Sequence, residues 1–122
     1  MSVFHNFSDE NQFVVGLYDG HVAIWANSVL KSKKLFNYSV EYENATRVQY
    51  ADNKVFAIGY PKKAKLHILD LQLNILKVAD HQFGDWISSM ASSESYVAIG
   101  EWSSGNVTVL DHNGSRVLVS YL

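Results

Sequence analysis

Phe13-Val14-Val15-Gly16, Phe56-Ala57-Ile58-Gly59 and Val97-Ala98-Ile99-Gly100 are one short phrase written three times. Their glycines stand 43 and 41 residues apart. A period in that range marks a stacked repeat, in which each supersecondary unit covers its apolar faces with its neighbours. A polar turn follows each glycine, and then a second apolar run: His21-Val22-Ala23-Ile24-Trp25, Leu66-His67-Ile68-Leu69-Asp70 and Val107-Thr108-Val109-Leu110-Asp111. A more alternating strand comes next, predicted over Lys34 to Val40, Asn74 to Ala79 and Arg116 to Tyr121. Before each glycine phrase lies a further short strand, over Ser2 to Phe7, Thr46 to Ala51 and Trp86 to Ala91. Each unit therefore reads as four strands, a to d.

The strand types carry physical information. The b runs are almost continuously apolar, as strands covered on both faces are, whereas the d runs alternate and suit an outer edge. Asp19-Gly20 and Ser104-Gly105 between b and c, and Asn113-Gly114 between c and d, offer the positive-φ positions that tight turns demand. No 3.6-residue apolar period is sustained, so the chain is predicted to be all-β.

The bulk numbers agree. A chain of 122 residues is the size of one domain, and its 48% hydrophobic content excludes a disordered tail. A net charge of −2 gives no long-range attraction for nucleic acid or for an anionic membrane surface. The chain has no cysteine, which excludes disulfides, thiolate chemistry and Cys-based zinc sites. The segment MSVFHNFSDE has neither the basic nor the apolar region of a secretory signal, and no apolar run nears the ~18 residues that cross a membrane. The expectation is a cytoplasmic or nuclear protein. Sequons at Asn6, Asn37, Asn44, Asn106 and Asn113 read as a by-product of an Asn- and Ser-rich composition.

The third unit resembles a WD repeat along its length: His81-Gln82-Phe83-Gly84-Asp85-Trp86-Ile87-Ser88-Ser89-Met90, then Tyr96 to Gly100, then Gly105 to Asp111. The family's GH position falls on Asp80-His81 and its WD position on Leu110-Asp111. Asp19-Gly20-His21-Val22-Ala23-Ile24-Trp25-Ala26 keeps the turn Asp-Gly and the Trp of the pattern, and Leu69-Asp70 keeps its Asp. No unit matches all four positions of the family's His–hydroxyl–Asp–Trp network, so apolar packing is expected to replace it.

The resemblance implies three four-stranded propeller blades in one domain over residues 1–122, at approximately 2–42, 45–81 and 85–122. A β-trefoil, also built from three units of four strands, is the alternative fold; it would imply a carbohydrate-binding lectin. Propellers have typically four to eight blades, so three leave two blade faces uncovered. Strand spacing and rise give these faces roughly 600 Å² together, about 15 kcal/mol of burial forgone, against a total domain stability of ~5–15 kcal/mol. Completion by a second copy, by a partner, or by further blades of a longer chain is therefore expected.

In such a topology the b–c and d–a loops share one face. That face would gather Tyr18, Tyr42, Tyr60, Trp86 and Trp102, with His81, Asp85 and Glu101 among them. Loop aromatics bury much area at low entropic cost, so a non-catalytic scaffold that binds a protein or peptide is the expected function. Lys31, Lys33 and Lys34 are placed in a c–d loop and Lys62, Lys63 and Lys65 in a b–c loop, on opposite faces, which makes no phosphate-tracking stripe. His5, His21, His67, His81 and His112 show no metal-ligand spacing. No nucleophile elbow, carboxylate pair or phosphate loop is present; no enzyme activity, cofactor or metal is expected.

Overall fold

The computed structural model describes residues 2–5, 12–16, 21–26, 29–35, 46–59 and 64–120. The strands are β1 (Ser2–His5), β2 (Gln12–Gly16), β3 (His21–Ala26), β4 (Val29–Leu35), β5 (Thr46–Ala51), β6 (Lys54–Gly59), β7 (Lys65–Leu69), β8 (Ile75–Gln82), β9 (Ile87–Ser92), β10 (Tyr96–Glu101), β11 (Val107–Asp111) and β12 (Arg116–Ser120). They form three four-stranded antiparallel sheets, each made of four consecutive strands in sequence order. Among the described residues no sheet closes on itself, which the barrel of the trefoil alternative requires. Among the described residues there is no helix long and apolar enough to cross a membrane.

Sheet 1 (β1–β4), sheet 2 (β5–β8) and sheet 3 (β9–β12) pack in a row, with β5 against β1 and β2 on one side and against β9 on the other. The middle sheet explains the continuous apolar runs. Along β6, Val55 and Ala57 join Val14, Val22 and Ile24 in the core between sheets 1 and 2. The alternate residues Phe56 and Ile58 join Val97, Ile99 and Leu110 in the core between sheets 2 and 3. Because side chains alternate across a strand, a run with both faces covered must be apolar throughout.

Strand pairing corrects the repeat register. The b strands begin at Gln12, Lys54 and Tyr96, 42 residues apart each time. Val14 pairs with Ile24, Phe56 with Ile68 and Ala98 with Val109. The structural counterpart of Gly16 and Gly100 is thus Ile58, and Gly59 lies one place beyond it. Each sheet then has two distinct faces. The face turned to the preceding sheet holds Val55 and Ala57 in sheet 2 and Val97 and Ile99 in sheet 3; in sheet 1 the same positions are Phe13 and Val15.

Two turns share one construction. After β7, the Asp70 carboxylate accepts the backbone N–H of Gln72 (2.9 Å) and of Asn74 (2.8 Å). After β11, Asp111 accepts those of Asn113 and Ser115, both at 2.9 Å. The fourth turn residue has positive φ in each: Leu73 at 64° and Gly114 at 83°. Asn113-Gly114 thus makes its turn as its sequence predicts, and so does Ser104-Gly105, with Gly105 at φ 71°. Asp19-Gly20 lies outside the described residues. Asp52 and Asn53, both at positive φ, form a two-residue hairpin between Ala51 and Lys54 without any glycine.

The last strand of unit 1 departs from expectation. It is β4, Val29–Leu35, and not Lys34 to Val40, because Ala26 pairs directly with Val29 and the unit has Ala26 where the other two carry the turn Asp. Residues 36–40 lie outside the described part. Lys31, Lys33 and Lys34 therefore belong to an edge strand instead of a c–d loop, a place where lysine discourages lateral sheet joining. Lys65 stands in β7, while Lys62 and Lys63 fall outside the described residues.

Candidate functional site

Two acid–tryptophan pairs, Asp85-Trp86 before β9 and Glu101-Trp102 at the end of β10, meet where sheet 3 turns. The Trp102 N–H donates to the Trp86 carbonyl at 2.9 Å. One Asp85 oxygen accepts the Trp86 N–H at 2.7 Å, and the other accepts the N–H groups of Ser103 (2.7 Å) and Ser104 (2.9 Å). Glu101 is buried; one of its oxygens accepts the Gly84 N–H at 3.2 Å and the other the Ser104 hydroxyl at 3.0 Å. Both carboxylates thus spend their acceptor capacity on fastening the 83–86 turn to the 101–106 loop. Hydrogen bonds to an ionised acceptor are the stronger kind, so this loop pair is held firmly. Their use is positional: they fix the tryptophans.

The tryptophans differ in what they present. Trp86 is half-buried, while Trp102 stands 63% exposed at the rim of the same loop pair. An exposed indole on a braced loop offers a large rigid contact area with little entropy left to lose on binding.

His81 belongs to a strand and not to a loop. It lies in β8, which runs to Gln82 because a bulge takes up Asp80 and His81 opposite Leu66. Its ring meets Phe83 edge-on, with centroids 4.6 Å apart. It lines a groove of about 410 Å³ together with Lys77, Asp80, Gly114, Ser115 and Arg116. Burial, and then the Arg116 charge, lowers the His81 pKa against an opposing pull from Glu101. Tyr18, Tyr42 and Tyr60 lie outside the described residues. Of the eight aromatic, acidic and His81 positions expected on one face, the structure brings together Asp85, Trp86, Glu101 and Trp102.

Sequence reasoning did not find the Ser103 and Ser104 amides or Gly84, which complete the bracing. The available signal was the doubled acid–Trp dipeptide itself. His67 and His112 are buried and serve packing: His67 approaches the Lys65 carbonyl (3.1 Å), and His112 approaches the Ser93 carbonyl (2.9 Å) with its ring 5.0 Å from that of Phe56. Among the described residues no three of His, Asp or Glu gather in a way that could hold a metal ion.

No family model matches the chain, and no curated protein matches it. Solved structures share its fold. The crystal structure of the computationally designed Ika4 protein superposes with a TM-score of 0.68, covering 92% of this chain and 68% of that one, at 20% sequence identity. At that identity the likeness concerns architecture alone.

Proposed function

We propose that this chain is a non-catalytic protein-interaction module of the WD-repeat propeller type, which offers the Trp86–Trp102 loop pair to a protein or peptide. The observation that carries the reading is Trp102, 63% exposed on loops that two carboxylates hold in place. Such an arrangement is costly to build for solvent alone, and it suits the rigid aromatic anchor at the centre of many interfaces. Three consecutive four-stranded sheets in a row support the propeller reading, and the exposed outer faces of sheets 1 and 3 support completion from outside the chain. A cysteine-free chain suits the reducing cytoplasm or nucleus.

The test is selection of peptides from a random library on the immobilised protein, followed by titration. Selected peptides should bind at least ~10-fold more weakly to Trp102→Ala, as expected when a central aromatic anchor is removed. A selection yielding only peptides indifferent to Trp102 and Trp86 overturns the assignment of this face.

A further inference from the structure

Equivalent positions in the three sheets have very different surroundings. In sheet 2 the face turned to sheet 3 carries Phe56, Ile58, Leu66 and Ile68, each no more than 2% exposed. The counterparts on sheet 3 are Ala98, Gly100, Val107 and Val109. There Val107 is 37% exposed, Tyr96 at the other end of the same face 47%, and the other three half-buried. The opposite face of sheet 2 carries Val55 and Leu69 at 0%. The counterparts of these two on sheet 1, Phe13 and Trp25, pair with each other and are 39% and 40% exposed. Each end of the row thus displays the apolar half of an interface that the row itself makes twice.

We infer that two copies of this chain join head to tail, the Phe13–Trp25 face of sheet 1 in each copy packing on the Tyr96–Val107–Val109 face of sheet 3 in the other, to close a ring of six sheets. This rests on the propeller reading above and names the agent of completion.

Three observations favour a second copy as the occupant. The two end faces are the complementary halves of one repeated contact, since among the described residues no sheet packs on the outer face of sheet 1 or of sheet 3. Both faces are apolar, with Phe13 and Trp25 on sheet 1 and Tyr96, Ala98, Val107 and Val109 on sheet 3. The area also suffices. Strand spacing and rise give each face roughly 320 Å². Two contacts between two copies therefore bury about 1,300 Å², within the range of specific interfaces. The contact is heterologous, yet it ends in a closed assembly if the rotation between successive sheets brings the sixth back to the first.

Sedimentation equilibrium of the intact chain at micromolar concentration tests this. The expected mass is about 27 kDa, twice the 13.7 kDa of one chain. Trp25→Glu and Val107→Glu, each at an exposed site on a different end, should both halve the mass while leaving the far-UV circular dichroism unchanged. If either variant alone fails to fold, the other still decides, because each end takes part in both contacts. A single-chain mass for the wild type overturns the inference, as does a mass that climbs past two chains with concentration. One variant dissociating while the other stays paired overturns it too, since that is the behaviour of like faces meeting. Peptide capture through Trp102 is read separately: a monomer that still captures peptides sinks the pairing and leaves the interaction module standing.

Discussion

The two inter-sheet boundaries are built from the same repeat but in different materials. Between sheets 2 and 3 the core contains Phe56 and Phe83 with Ile58, Leu66, Ile68, Ile87, Ile99 and Leu110. Between sheets 1 and 2 it is smaller-grained, with Val14, Val22, Val48, Val55 and Ala57 around Ile24, Leu69 and Leu73. The first boundary is also laced by polar side chains. Gln49 donates to the Met90 carbonyl (3.1 Å), Arg47 to that of Ile87 (3.5 Å), and the Ser92 hydroxyl lies 3.0 Å from the Gln49 amide oxygen and 3.2 Å from the Tyr50 carbonyl. These bonds give carbonyls on the edge of β9 partners from side chains of β5, so two strand edges meet without fusing into one sheet. One boundary gains its strength from large side chains and stitching, the other from close packing of small ones.

That contrast is breakable. Phe56→Ala should cost about 3–5 kcal/mol in urea unfolding, since it empties a fully buried aromatic site and removes the ring beside His112. Val22→Ala, on the other boundary, should cost only about 2 kcal/mol for the loss of two buried carbons. Equal losses at the two sites would mean that the boundaries do not differ as described.

The paired turns sharpen the comparison. Gly114→Ala should lose about 2–3 kcal/mol. Its φ of 83° is left-handed, and a Cβ there would stand 3.0 Å from the Ala79 Cβ and 3.3 Å from Ile68 Cδ1. Leu73 occupies the same turn position at φ 64°, yet its side chain is buried between sheets 1 and 2. Leu73→Gly should relieve the backbone and still lose about 1–2 kcal/mol net, because the lost burial exceeds the relief. A stabilised Leu73→Gly protein would show that this side chain contributes little to its boundary.

The smallest expected effect is a pH dependence at the valine-rich boundary. By alternation with Leu66 and Ile68, His67 faces sheet 1; the corresponding residue of sheet 3 is Thr108, also buried. Burial lowers the His67 pKa below its ordinary 6.5, partly offset by the bond to the Lys65 carbonyl. The folded state therefore binds this proton less readily than the unfolded chain does. Its contribution is fully present above pH ~6.5 and declines as the pH falls from there towards the lower folded value. Urea midpoints compared at pH ~7.5 and ~5.5 should fall, and fall less in His67→Thr, which installs the chain's own alternative. An unchanged pH response in that variant would assign the effect to another group.

Much of this architecture could be read from the residues. The threefold phrase placed the strands in their order, and Asn113-Gly114 and Ser104-Gly105 marked two turns that the backbone makes. The glycine register misled at Gly59, because a glycine one place further along a strand looks the same in sequence as one in the equivalent place. Val29-Leu30 was passed over as a strand start because three lysines follow at once, and a charged edge strand is hard to tell from a loop. The site was legible in part. Its tryptophans and Asp85 were recognisable as loop residues and Glu101 closes β10 instead, while main-chain amides such as those of Ser103 and Ser104 leave no mark in the side-chain alphabet. His81 was drawn into β8 by a bulge, a feature that depends on the pairing of two strands and not on either one.

Among the described residues every strand keeps its backbone ladder within its own unit, and none is lent across a boundary. Such a design can be spliced at unit joints as beads are added to a string. Tandem duplication or loss of some 42 residues leaves each remaining ladder intact. Evolution and engineering could both therefore change the number of units without reweaving any sheet.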